Sequence, residues 1–173
     1  MNNASILIVT KGEATFHLLH GATEVLLKTR PVCETPYKCY FFSYEHGVYG
    51  EAVCKDVKVY KKNFVTMTRY AANDPELLGL MARTKWTIEE LCEYTLRYNG
   101  RQDFYSLCLG DVVFYKEPRK LTEFCKPCAG MRGNECTEDK CKYFDGEKRE
   151  CTRPRSGLNF PTKSWQYIEE VDK

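Results

Sequence analysis

No apolar run in this sequence approaches the roughly 20 residues that a membrane-spanning helix requires, so no membrane partner is expected. No signal peptide is read in it, and the expected compartment is the cytoplasm, where thiols stay reduced. The formal net charge is only +2. That excludes nucleic-acid binding driven by the charge of the whole molecule; any such binding has to come from a local basic patch. There is no Gly-rich phosphate loop, no nucleophile elbow and no pair of carboxylates at a readable catalytic spacing. The three histidines, His17, His20 and His46, have no metal-ligand spacing among themselves. Internal repeats and low-complexity tracts are also missing. At 173 residues the chain is read as one domain, residues 1–173, with enough length to bury a real core.

What the sequence has in quantity is cysteine, ten in all. Five fall in one stretch, Cys125-x2-Cys128-x7-Cys136-x4-Cys141-x9-Cys151. Cys125 and Cys128, followed by Ala129-Gly130, can form a knuckle that aims two sulfurs at one ion. Zinc takes four such ligands in a tetrahedron, and a structural site draws all four from the protein. The stretch has few large apolar residues, Met131, Tyr143 and Phe144, so metal binding would supply its folding free energy. Five thiols compete for four places, with Cys136 read as the spare one. An iron–sulfur cluster, disulfides and a plain reduced loop stay open as alternatives. Residues 125–155 are thus read as a zinc-stapled insertion before the last strand. Its basic and acidic residues, with the thiolate-bound metal, come near neutrality, and the Arg153-Pro-Arg155 exit is its most basic part. The other five cysteines, Cys33, Cys39, Cys54, Cys92 and Cys108, stand singly in apolar segments and read as small buried hydrophobes.

The rest of the chain predicts short strands and helices in alternation. Ser5 to Val9 is apolar and β-branched, a buried strand. Thr10-Lys-Gly-Glu13 reads as a capping box for a helix that buries Ala14, Phe16, Leu18 and Leu19 and stops at Gly21. Ala22 to Arg30 alternates as a strand, with Thr23, Val25, Leu27 and Thr29 on one face and Glu24, Leu26, Lys28 and Arg30 on the other. Pro31 and Pro36 mark a turn. Lys38 to Tyr44 and Gly50 to Tyr60 are strands separated by a break at His46-Gly47. Asp74-Pro75 and Thr87-Ile-Glu-Glu90 start two helices, the second with an inward stripe of Leu91, Cys92, Thr95 and Leu96. Phe104 to Leu109 and Val112 to Tyr115 read as a hairpin or sharply bent pair about Gly110-Asp111. Ser164 to Ile168 closes the chain. Such an order predicts the α+β class and a small mixed β-barrel with helices at its ends.

This order resembles the ASCH domain family of the PUA-like superfamily. The family's Gly-x-Lys-x-x-Glu-x-Arg signature lies over Gly21-Ala-Thr-Glu-Val-Leu-Leu-Lys-Thr-Arg30: Gly21 matches, Lys28 stands at the Arg place, Thr23 replaces the Lys and Leu26 the Glu. Gly50-Glu51, Tyr105 to Val113 and the ending Pro161-Thr-Lys-Ser-Trp-Gln-Tyr167 are similar to the family as well. The resemblance implies a pseudo-barrel with a cleft beside the first helix that holds RNA or a nucleobase. It further implies a candidate contact set: Lys11, Thr23, Lys28 and Arg30 as polar and cationic contacts, and Trp165 and Tyr167 as stacking aromatics. Tyr40, Phe42 and Tyr44 are read mainly as core. In a branch that hydrolyses acylated cytidine, the signature Lys and a Thr at its Glu place do the chemistry; Thr23 and Leu26 stand there, and Leu26 has nothing to titrate. The leading expectation is therefore an RNA- or modified-nucleobase-binding module with structural zinc. The alternatives are a small hydrolase using Thr23, Lys11, Lys28 and Glu51, and an adaptor that meets a protein partner through the zinc loop.

Overall fold

The structure is a computed structural model, and it describes residues 5–68, 73–96, 102–127, 143–147, 150–152, 157–161 and 163–171. Its strands are β1 (Ser5–Val9), β2 (Glu24–Leu27), β3 (Tyr37–Ser43), β4 (Gly47–Tyr60), β5 (Phe104–Arg119), β6 (Phe124–Cys125), β7 (Phe144–Asp145), β8 (Glu150–Cys151) and β9 (Trp165–Glu170). Its helices are α1 (Glu13–Leu19), α2 (Phe64–Thr68), α3 (Pro75–Thr84) and α4 (Ile88–Leu96). The chain divides into two compact units: Met1–Thr10 with Tyr37–Ala52 and Val113–Lys173, and Lys11–Pro36 with Val53–Val112.

The first unit is built on β1. Its continuous apolar run suits a strand with a neighbour on either side and both faces covered. β3 lies parallel to it, from Ile6 opposite Cys39 to Val9 opposite Phe42. β9 lies antiparallel, from Ser5 opposite Ile168 to Ile8 opposite Trp165. Alternation puts Leu7, Tyr40, Phe42 and Ile168 on one face, where Val48, Phe124 and Leu158 complete a buried cluster. Gln166 is opposite Leu7 and shares that face; Trp165 and Tyr167 take the other. The two-residue β6 adds to β9, and β7 pairs with β8 as a separate ribbon.

In the second unit β2 pairs antiparallel with β5, from Glu24 opposite Cys108 to Leu27 opposite Tyr105. Leu26, Tyr60 and Phe104 from the strands pack with Val65, Leu77, Leu80 and Leu91 from the helices. The helix starts follow the sequence signals. The Asp74 carboxylate accepts from Leu77 N at 2.8 Å. Glu90 accepts from Thr87 N at 2.7 Å while Thr87 Oγ1 accepts from Glu90 N at 3.2 Å, a reciprocal box. Gly21, with φ +89°, takes the left-handed backbone just past α1.

Four expectations are corrected. The strands pair in the order β2-β5-β4-β3-β1-β9-β6, which has two ends and does not close, so the fold is α+β with a seven-stranded open sheet rather than a barrel. Closure requires end strands to pair along a shared length; β2 and β6 have four and two residues, already bonded to β5 and β9. The Thr10 hydroxyl caps no helix: it bonds Tyr49 Oη at 2.8 Å, and Gly12 is the N-cap of α1 without a side-chain bond. On α1 the buried residues are Thr15, His17 and Leu18, and Phe16 is 56% exposed, because the seven-residue helix turns a polar stripe inward. His17 Nε2 lies 3.1 Å from Glu90 Oε2, which satisfies that stripe. Gly110-Asp111 does not reverse the chain; β5 runs unbroken for 16 residues. Asp111 adopts φ +53° within the strand, held by Lys55 Nζ at 3.4 Å.

Candidate nucleic-acid interface

In the second unit a carboxylate opens an otherwise apolar strand. The Glu24 side chain is 2% exposed, and a buried charge persists only where partners replace its water. Four donors do so. Ser106 Oγ and Arg83 Nε donate at 2.6 Å each, Lys58 Nζ at 3.0 Å and Cys108 Sγ at 3.4 Å. Burial pushes the Glu24 carboxyl up, but the bonds from Ser106, Lys58 and Cys108 with the Arg83 charge outweigh it, so the group is held below the ordinary range. The Cys108 thiol is pushed up to about 11 by burial and the Glu24 charge, so it is protonated at neutral pH and a poor nucleophile. Ser106 is completely buried. What this cluster offers a ligand is its cations, since the Arg83 and Lys58 side chains are 36% and 40% exposed.

Thr23 belongs beside this cluster. Its backbone N–H donates to Arg83 O at 2.8 Å, and its carbonyl accepts from Leu109 N at 2.8 Å. These bonds tie the end of α3 to the strands. Glu24, Lys58 and Arg83 were not singled out from the sequence. The available signal was the acid next to Val25-Leu26-Leu27, which an apolar strand keeps only if it is paired.

The other cations of the predicted set sit differently. Lys28 Nζ donates to Tyr94 O at 2.9 Å and stands 3.9 Å from the centre of the Tyr94 ring. Burial lowers its ammonium to about 8. Lys11 and Arg30 are exposed.

The predicted aromatics belong to the first unit. Trp165 and Tyr167, two residues apart on β9, meet edge to face with centroids 5.4 Å apart, and both are half-buried. Tyr40 and Phe42 are core, as expected, while Tyr44 is exposed. The Tyr40 hydroxyl donates to Glu170, which Arg119 also binds, at 3.2 Å. Glu51 accepts from Tyr115 and pairs with Lys38 at 3.0 Å. Gln166 is buried, and among the described residues neither its amide nitrogen nor its amide oxygen finds a hydrogen-bond partner.

Of the five clustered cysteines, Cys125 is buried on β6 and Cys151 is on β8. Cys128, Cys136 and Cys141 lie outside the described residues. Among the described residues no group of three or more His, Cys, Asp or Glu gathers as a metal site. Cys39 and Cys54 are buried, and Cys33, Cys92 and Cys108 are partly so. Among the described residues, no helix is long and apolar enough to cross a membrane.

No family model matches the sequence, and no curated protein does either. The structure is similar to crystal structures of the ASCH protein of Zymomonas mobilis. A tyrosine-to-phenylalanine mutant is 14% identical, with 68% of this chain and 76% of that one covered and a TM-score of 0.49. A serine-to-alanine mutant is 13% identical, with 69% and 76% covered and a TM-score of 0.49. The protein without a named substitution is 14% identical, with 62% and 67% covered and a TM-score of 0.44.

Proposed function

We propose that this chain is an ASCH-type, PUA-like module that binds RNA or a modified nucleobase without transforming it, and that zinc staples its cysteine-rich segment. The observation that carries the reading is the Trp165–Tyr167 pair: two half-buried rings on one face of β9, in the segment that resembles the family's closing motif. Aromatic side chains of this kind take bases by stacking, which contributes roughly 1–3 kcal/mol per base and tolerates any sequence. Binding to a ligand fits better than hydrolysis. Leu26 at the signature's acid place is buried apolar core, Ser106 is out of reach, and Cys108 holds its proton. The test is titration of the intact protein with single-stranded and structured RNA at low salt. Wild-type binding that W165A and Y167A each weaken by about 10-fold, roughly 1.4 kcal/mol, supports the reading; no binding to either RNA ends it. Incubation with acylated nucleosides and RNA separates the hydrolase, because a binder leaves both intact.

A further inference from the structure

The Glu24 cluster contains more positive charge than it needs. One carboxylate faces two cations, Lys58 and Arg83, so the cluster has a net positive charge beside solvent. Donors are left over as well. Arg83 has five N–H groups; Nε is committed to Glu24, and Nη2 reaches Tyr60 Oη at 3.4 Å. Lys58 gives one of three N–H bonds to Glu24. The acid nearest in sequence, Asp56, is exposed, caps Val57 N at 2.8 Å and acts on the Cys108 thiol, so it offsets part of that charge from outside the cluster. Exposed Lys85 follows Arg83 at the C-cap of α3.

The helix makes room for this arrangement. Gly79 sits inside α3, where glycine is less favourable than alanine. A Cβ placed there would stand 2.7 Å from Arg83 Nη1. The guanidinium thus lies over a glycine, and Glu24 acts as a splint that bonds both cations. Two pre-positioned cations with unspent donors match a phosphate, whose oxygens accept from guanidinium and ammonium groups.

We propose that Lys58 and Arg83, splinted by Glu24, form a phosphate-receiving site for a nucleic-acid backbone or a nucleotide. The proposal deepens the nucleic-acid reading and rests on it for the larger ligand. Phosphate contacts position a strand without reading its sequence, and each lost contact to a single strand reduces the log–log salt slope of binding by about 0.7.

The experiment uses the full chain in two arms. In the first, affinity for a mixed-sequence single-stranded oligoribonucleotide is followed through a salt series for wild type, K58Q, R83Q and the control K61Q, whose exposed lysine pairs with Asp103. K58Q and R83Q should each flatten the slope by about 0.7, and K61Q should not. In the second arm, thermal protection by a nucleoside monophosphate is compared with that by the unphosphorylated nucleoside. Protection by the monophosphate alone, lost in K58Q and R83Q, sustains the site even if RNA fails to bind, and the nucleic-acid reading then falls by itself. If R83Q does not fold, K58Q alone decides, because the Lys58 side chain is 40% exposed and gives a single bond to Glu24. Slopes and protection equal to wild type in these variants, an equal change in K61Q, or no binding in either arm overturns the site.

Discussion

Arg83 Nε and Glu24 Oε1 stand 2.6 Å apart, a guanidinium from α3 joined to a carboxylate at the start of β2. Removing the carboxylate charge leaves two cations that solvent still reaches, so the cost falls below the roughly 3–5 kcal/mol of a fully buried pair, to about 1–3 kcal/mol. Glu24→Gln should therefore lower stability by that order in urea denaturation, although the substitution changes little in volume. The pH dependence has a definite sign. The folded carboxyl is held below its ordinary value of 4.5, so its contribution is present above that value and is lost as pH falls through the folded one. The stability gap between wild type and Glu24→Gln should narrow on acidification. A gap that stays constant to low pH would show that the carboxylate charge is not what stabilises the site.

Gln166 presents the opposite case, a buried polar group that bonds none of the described residues. An unmet amide costs about 1–3 kcal/mol. Gln166→Met, close in volume and apolar like its neighbour Ile168, should raise stability by about 1–2 kcal/mol. Equilibrium unfolding reads this directly. A destabilised variant would mean that the amide has a partner in solution.

These two residues also mark the limit of what the sequence discloses. Local signals are legible: Ser5 to Val9 is a strand, Asp74 and Thr87 cap helices, and Gly21 ends one, because each rests on chemistry within a few residues. Pairing over long separations is not. Glu24 receives its donors from Lys58, Arg83 and Ser106, up to 82 residues away. An acid beside Val25-Leu26-Leu27 asks for partners, but nothing in the strand tells which distant residues supply them. The Gly110-Asp111 signal was real as a left-handed backbone position, but a turn residue alone does not reveal whether the chain reverses. The open sheet was beyond reach for the same reason, since closure depends on which end strands meet. Of the predicted contacts, Trp165 and Tyr167 fall on one face of β9 as two-residue spacing requires, while the stacking of Lys28 on Tyr94 depends on a helix distant in sequence.

Lys28 should behave as a titrating group rather than a fixed cation. Burial lowers its ammonium from the usual 10.5 to about 8. Between those values the unfolded chain binds more protons than the folded one, so this residue makes stability rise with pH there. NMR of the lysine side chains should find one amine with a midpoint near 8 that disappears in Lys28→Met, and wild type should gain on that variant as pH rises across the window. A Lys28 midpoint above 10 would refute the burial argument and return the residue to the set of simple phosphate contacts.

The metal prediction tests the cysteine spacing itself. About one zinc per chain should bind through four of Cys125, Cys128, Cys136, Cys141 and Cys151, in a structural role, because an all-thiolate shell leaves no open position for water or substrate. Cys125 is already held on β6, where it pairs opposite Glu169 of β9, so one ligand would be anchored to the sheet before metal arrives. Cys128→Ser should lose the metal, since a hydroxyl is a weak ligand at neutral pH. Cys54→Ser should keep it: Cys54 is buried on β4 and bonds Asp56 O at 3.4 Å, outside the cysteine-rich stretch, so that substitution costs some packing and leaves zinc content unchanged. Chelation should lower the protease resistance of residues 125–155 while amide protection in β1, β3 and β9 persists, because those strands have their own buried cluster. Metal analysis of wild type and the two variants decides the matter. Zinc-free wild-type protein purified without chelators, or equal metal loss in both variants, would sink the assignment.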